Sequence, residues 1–404
     1  MIFINDTPHT GTIFRTHDHD PAVPALRAAE RRGDGMTVRL FLCGDVMLGR
    51  GIDQILSCPG EPTLHEDYAK SAIDYVNLAE RASGPLPRRV ADGYVWGETL
   101  AELRRPDCAA RIVNLETSIT TSKAFEPKGI NYRMHPANAG VLAIAGIDCC
   151  VLANNHVLDW GQEGLEETLR TLDKTGIRHT GAGRNAKAAA APASIALPDG
   201  RTVHVFAFGH SSSGIPPAWA AEPAAPGVNL LPDFSPATVA GIARLTGPWR
   251  RPGHVLLASI HWGGNWGYAV SPSQRAFARA LVDAAGFDVV HGHSSHHAKG
   301  IEIYRDRLIL YGCGDFITDY EGIGGYEEFR GDLSVAYFAC VSPDGTLADL
   351  EMSIYQLRKF RLCRASVCDS CWLEEKLNRE STPFGTRIKP AGDNRLRVER
   401  AAPT

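Results

Sequence analysis

Residues 37–50 read TVRLFLCGDVMLGR. Val38 to Cys43 is apolar on both faces, as a strand buried between two layers is. The run stops at Gly44, and a carboxylate, Asp45, and a guanidinium, Arg50, come directly after it. The same sequence of events recurs along the chain. Further apolar runs lie at Arg111–Leu115, Asp148–Ala153, Val203–Phe208, Val255–Ile260, Asp288–His291 and Arg307–Tyr311.

Helical patterns separate these runs. Leu165, Leu169 and Leu172 recur at i, i+4 and i+7 and are stopped by Gly176. SPSQRAFARALVDAAG opens with Ser271 as N-cap and Pro272 at the first helical position, and it ends at Gly286. Such alternation predicts an α/β layered fold. No internal repeat is present. Residues 1–36 read as a polar N-terminal arm, 37–360 as the catalytic domain, and 361–404 as one more helix and a tail. The basic run Arg387, Lys389, Arg395, Arg397 and Arg400 reads as part of that solvated tail.

The polar residues just past each strand carry the chemistry. NLETS supplies Asn114 and Glu116; NNHVLDWG supplies Asn154, Asn155, His156 and Asp159; HWGGNW supplies His261. HGHSSHH places four of the chain's 15 histidines in seven positions: His291, His293, His296 and His297. Strand carboxyl ends gather on one edge of an open α/β sheet, and ligands bind there. Each motif alone is weak, since an Asp after a strand is usually a turn or cap residue. Five in register after five strands form an oxygen and nitrogen donor set suited to Zn, Mn, Fe, Co or Mg, large enough for two divalent ions.

Composition narrows the classes. The chain has 404 residues, 44% apolar and 22% charged, with a net charge of −4. That balance argues against a nucleic-acid binder, which shows a strongly basic face. No stretch reaches the ~18 apolar residues of a membrane span, and no secretory h-region comes after Met1, so a soluble cytoplasmic protein is expected. Ten cysteines are scattered. CDSC at Cys368–Cys371 has no second CxxC to complete a four-sulfur site.

The order GDVMLGR, NLETS, ANNHVLDWG, IHWG, GHSSH resembles the poly-γ-glutamate capsule-biosynthesis (CapA) family of the calcineurin-like metallophosphoesterase superfamily, from about residue 38 to about residue 360. The resemblance implies a calcineurin-like metallophosphoesterase fold, a two-sheet core with helices on both outer faces, and a metal pair at the strand ends. It implies Asp45 as the carboxylate of the first motif, Glu116 at the bridging position and Asn155 as the amide ligand. His261 and His293 fall to the second metal and His296 to the first. His156 becomes the catalytic histidine, oriented by Asp159. Two departures matter. Met47 stands where phosphoesterases carry a histidine, and two residues rather than one separate the last pair of histidines. His291 and His297 are left as support.

A metal pair activates water for hydrolysis or polarises a carbonyl as a Lewis acid. The second use serves epimerisation, which also needs an acid or base on each face of the carbon. Some members that look like this family invert the C-terminal residue of ribosomal, lasso-type precursor peptides, and this chain resembles them as well as the capsule proteins. Three features point to that reaction: no anchor or signal, Met47 in the first motif, and Trp160, Trp262 and Trp266 beside three motifs as walls for a bulky residue. His156 then moves a proton on one face. Arg50, Tyr132, Arg133, His135, Trp262 and Asp315, with Asp319, are the candidates for the other face or for substrate binding. A peptide is the expected partner, with no nucleic acid and no membrane. A phosphoesterase or other hydrolase, and a capsule-biosynthesis protein, are the alternatives.

Overall fold

A computed structural model describes residues 37–400; the arm at 1–36 lies outside the described residues. The principal strands are β1 (Val38–Val46), β2 (Cys108–Leu115), β3 (Cys149–Val151), β4 (Arg178–Thr180), β5 (Thr202–His210), β6 (Val255–His261) and β7 (Val289–His293). They continue with β8 (Ile301–Tyr304), β9 (Arg307–Leu310), β10 (Asp315–Ile317), β11 (Leu333–Val341), β12 (Leu347–Arg358), β13 (Thr386–Pro390) and β14 (Arg395–Arg400). The main helices are α1 (Arg50–Ile55), α2 (Ile73–Ser83), α3 (Gly161–Thr175), α4 (Pro236–Thr246), α5 (Pro272–Asp283) and α6 (Val367–Ser381).

Among the described residues two large sheets form. The first runs β13-β14-β12-β11-β1-β2-β3-β4, with β10 also paired to β1; the second contains β5-β6-β7-β9-β8. β1 to β4 are mutually parallel, as are β5, β6, β7 and β9. The period of two along the second sheet decides what it touches. Val203, Val205, Val255, Leu257 and Val289 join the core that also holds β1, β2 and β11. Phe206, Phe208, Leu256, Ile260 and Val290 face the other way, onto Val239 and Ile242 of α4 and Phe277 and Leu281 of α5. Ser271 caps α5 as its sequence predicts, accepting from the Gln274 amide.

The C-terminal reading needs correction. After α6, residues 386–400 are not a tail but the β13–β14 hairpin, and β14 pairs with β12 in the first sheet. Ile388, Leu396 and Val398 alternate inward and are buried. The arginines between them pair outward, Arg397 with Asp349 and Arg395 with Glu102. Strand pairing also crosses residue 360, since 361–364 pairs with β12, so no boundary falls there.

Two close approaches set the site. A Cβ on Gly44 would lie 1.6 Å from the Gly314 carbonyl oxygen, so only glycine lets β1 and β10 run side by side. That contact aligns Asp45 with Asp315 in parallel register. On the other side of β1, Asp45 is in register with Asn114 of β2. In the second sheet His261 is paired with His293.

Candidate metal centre

Two groups of buried donors come together at these strand ends. Asp45, Glu116 and Asp315 form one; Asp45, His261 and His293 form the other; within each, the donor atoms lie within 4.8 Å of one another. Burial and then the Asp315 carboxylate push Asp45 up to about 7. Burial, then Asp45 and Asp315, raise Glu116 well above the usual carboxylate range. Asp45 and Glu116, crowded out of water in this way, resist ionisation unless a cation joins them. Asp315 Oδ2 is buried with no hydrogen-bond partner among the described residues.

The hydrogen-bond network decides where the imidazole lone pairs point. His291 Nε2 lies 2.7 Å from the Cys43 carbonyl oxygen and must donate to it. Burial lowers His291 to about 4, so the ring is neutral and its Nδ1 accepts from Ser259 Oγ at 3.0 Å. Ser259 has no second hydrogen, so at 2.9 Å it accepts from His293 Nε2. His293 is neutral too, because burial and the neighbouring imidazoles hold it well below 6.5. Its Nδ1 is therefore a lone pair. His261, neutral chiefly through burial, donates from Nε2 to Asn155 Oδ1 at 2.9 Å. Its Nδ1 is then also a lone pair, faced by the Asn114 amide at 3.5 Å.

These two lone pairs meet at 2.8 Å, and Asp45 Oδ1 is 3.8 Å from His293 Nδ1. Two acceptors held that close repel each other, and a cation among them removes the conflict. Each ring donates its other N–H to a fixed oxygen, as metal-ligating histidines do. The residues fit a divalent cation.

Asp45 is common to both groups, because β1 lies between β2 and β10; Glu116, which the resemblance puts at the bridging position, stands in the carboxylate group with its Oε1 3.7 Å from His261 Nε2. Asp315, expected at the substrate, stands with the carboxylates. Met47 is buried and turns its sulfur to the Gly49 amide at 3.2 Å. The Asn155 oxygen lies on His261. His296 pairs with Asp315 at 3.0 Å, outside both groups; burial would lower it, but the Asp315 carboxylate prevails and raises it. His297 packs between Phe329 and Tyr268.

His156 sits beside this cluster. Its Nδ1 is 2.6 Å from Asp159 Oδ2, and its Nε2 is 3.9 Å from Glu116 Oε1. Asp159 also accepts from the Tyr132 amide at 2.6 Å and pairs with Lys128 at 2.7 Å. Burial lowers His156 to about 4, against the pull of Asp159. Lys128, which also donates to the Asn155 carbonyl, has no sequence signal beyond standing just before GINYRMHP.

A cavity of about 490 Å³ opens above the cluster, lined by Tyr132, Trp266, His296, Asp315, Tyr320 and Ile323 among others. Arg50 also lines it, but its side chain is buried and held by Asp319 at 2.5 Å and Glu66 at 3.0 Å. That pairing holds Arg50 at a positive φ of 44°, an unusual backbone for this residue. Three expected substrate residues lie elsewhere. Trp262 is buried, with its indole N–H on the Tyr311 carbonyl oxygen. Arg133 stacks on Trp160 at 3.8 Å and donates to the Ser122 and Glu61 carbonyl oxygens. His135 caps a short 3-10 turn. Trp160 is core, bonded to the Tyr132 carbonyl oxygen, so of the three tryptophans only Trp266 reaches the cavity. All ten cysteines are free, with Cys368 and Cys371 exposed on α6. Among the described residues no helix is long and apolar enough to cross a membrane.

Residues 39–320 match the family model described as bacterial capsule synthesis protein PGA_cap. A probable polyglutamine synthesis accessory protein of Mycobacterium tuberculosis is 45% identical over 92% of this chain and 98% of its own. The capsule biosynthesis protein CapA of Bacillus anthracis is 24% identical over 69% of this chain and 59% of its own. Among solved structures, a 5′-nucleotidase precursor from Thermus thermophilus overlays with a TM-score of 0.39 and 12% identity, covering 79% of this chain and 54% of that one.

Proposed function

The chain belongs to the bacterial capsule synthesis protein family, and on that premise we propose that it is a metal-dependent enzyme that epimerises the Cα of a peptide residue. Asp45, Glu116 and Asp315, with His261 and His293, would hold two divalent cations that share Asp45. Bound there, the cations supply Lewis acidity that makes a proton next to a carbonyl easier to remove. His156 keeps its Nδ1 proton on Asp159, so its Nε2 lone pair faces the cluster and takes the proton from one face of the carbon, and a proton that comes from solvent returns to the opposite face to complete the inversion. Lys128 holds Asp159 in place from the other side.

The observation that carries this reading is the character of the cavity. Its walls are Tyr132, Tyr320, Trp266 and Ile323, and Glu321, Glu327 and Asp332 stand in its lining. Apolar walls suit an apolar peptide residue; Arg330 also lines the cavity and pairs with Asp332 at 2.8 Å, so the charged part of the lining carries both signs. The test is incubation of metal-loaded protein in deuterated water with peptides ending in a bulky apolar residue. Deuterium at Cα, with appearance of the D-epimer, is the expected result.

The shared Asp45 also favours a second reading, hydrolysis by a two-metal centre. Cleavage of a model phosphoester with no deuterium uptake would decide for it. The relative named for polyglutamine synthesis supports a third, a role in assembling a glutamyl polymer; binding of that polymer in place of apolar peptides would decide for that one.

A further inference from the structure

The epimerase reading leaves open what grips the substrate beside the reacting carbon. Tyr132 and Tyr320 both line the cavity. Their hydroxyl oxygens are 2.5 Å apart. The ring of Tyr132 stacks on His156 at 3.8 Å, and the ring of Tyr320 meets His296 edge-on at 5.3 Å. The pair therefore spans the mouth of the cluster from the β3 side to the β7 side. Behind it the Arg50 guanidinium lies 4.7 Å from one ring and 5.7 Å from the other.

Two hydroxyls own two hydrogens, and one bond between them commits only one. Neither phenol oxygen has another partner among the described residues. One O–H is therefore an uncommitted donor facing the cavity, polarised by the bond its oxygen receives. Around it stand acceptors or committed groups, Asp315 as a carboxylate and His296 with its Nδ1 on that carboxylate. Burial raises both phenols well above 10, so they stay protonated donors across the working range.

We propose that the Tyr132–Tyr320 hydroxyl pair anchors a free carboxylate of the substrate, and so selects the C-terminal residue of a peptide. The proposal rests on the peptide reading above and adds the group that recognises the chain end. A phenol donating to a carboxylate makes a charge-assisted bond, whereas a terminal amide offers a weaker acceptor and an extra pair of N–H donors.

The test is binding, measured by titration calorimetry on metal-loaded protein, of the pentapeptide Ala-Ala-Ala-Ala-Phe as the free acid and as its C-terminal amide. The double variant is expected to weaken the acid by about tenfold, and Tyr320→Phe or Tyr132→Phe alone by less, since each leaves one hydroxyl free to donate but without the bond that polarises it, with the amide little changed. The bound metals attract the acid in every variant, so the selective loss belongs to the phenols. Thermal unfolding and metal content check that each variant is folded and loaded. Should Tyr132→Phe not fold, the less buried Tyr320→Phe decides alone. Equal losses for acid and amide, no loss for either, or no binding of the acid by wild type overturns the anchor. Deuterium uptake in the same samples reads the reaction separately. Its absence removes the epimerase reading and leaves a selective acid loss standing.

Discussion

The second sheet carries a close pair of histidines at each end. At the carboxyl end, His261 and His293 face each other at 2.8 Å. Toward the amino end, His204 Nε2 and His254 Nδ1 lie 3.1 Å apart, beside a cavity of about 470 Å³. By spacing alone the pairs are alike, but their surroundings are not. His204 bonds Ser194 at 2.8 Å and has Arg251 and Trp249 as neighbours. Among the described residues no carboxylate lines that cavity, and one N–H between the two rings satisfies the contact. At the other end three carboxylates converge, and the chain of hydrogen bonds from Cys43 through Ser259 leaves no hydrogen for the contact. A metal site is thus distinguished by what the donors are forced to do, and histidine proximity is not enough.

The largest effect should come from the residue that both donor groups share. Asp45→Ala is expected to reduce bound metal to less than about a tenth of wild type and to abolish any turnover, because it removes a donor from each group at once. Elemental analysis after gel filtration measures it; near-wild-type metal content would mean that the two groups do not share Asp45. Next in size is the direct contrast. His293→Ala should weaken metal binding about 100-fold, while His204→Ala should leave it unchanged. Equal losses in the two variants would erase the distinction between the two ends of the sheet.

A smaller effect is expected from Ser259→Ala, which touches no proposed ligand site directly except through His293. It removes both the acceptor for His293 Nε2 and the donor for His291 Nδ1. Metal affinity should fall about 10-fold, with activity recovered at raised metal concentration. Unfolding free energy should drop by about 1–3 kcal/mol, because buried ring nitrogens lose partners. A metal affinity that does not move would show that the tautomer chain does not orient the ligands.

The legibility of the site in the sequence divides along the same line. Strand ends announce themselves, because an apolar run breaks abruptly into polar residues, and Asp45, Glu116, His261 and His293 are all visible that way. Register is not written in one strand, so the sharing of Asp45 between both neighbours emerges only with the pairing. Asp315 comes after a run of glycine and cysteine, and β10 is three residues long; nothing in so short a stretch marks a strand. Tyr320 carries no periodic signal either. Trp262 looks like a cleft residue because it stands directly beside the His261 motif. In fact a Cβ on Gly292 would lie 2.7 Å from the Trp262 indole nitrogen, so one of the small residues nearby exists to let the ring into the core. The β13–β14 hairpin is hidden by its own charge, since the basic residues that face water outnumber the three apolar residues that face in.

The smallest expected effect sits at the amino-end pair and is read through pH. Burial, then the neighbouring His254, lowers His204 to about 4 from its usual 6.5. Between those values the unfolded chain binds a proton at this position that the folded chain does not. Stability therefore rises with pH across the window, and is lost as pH falls from 6.5 toward 4. Arg251, which lowers the same group further, works in the same direction. His204→Gln keeps a hydrogen-bonding side chain and removes the titration. Its melting temperature should fall less steeply than that of wild type on acidification, with the two curves converging near pH 7. Other buried histidines titrate in both proteins and cancel in the difference. If the two acid slopes coincide, the pair at the amino end is not held neutral. The contrast between the ends of the sheet would then rest on the carboxylates alone.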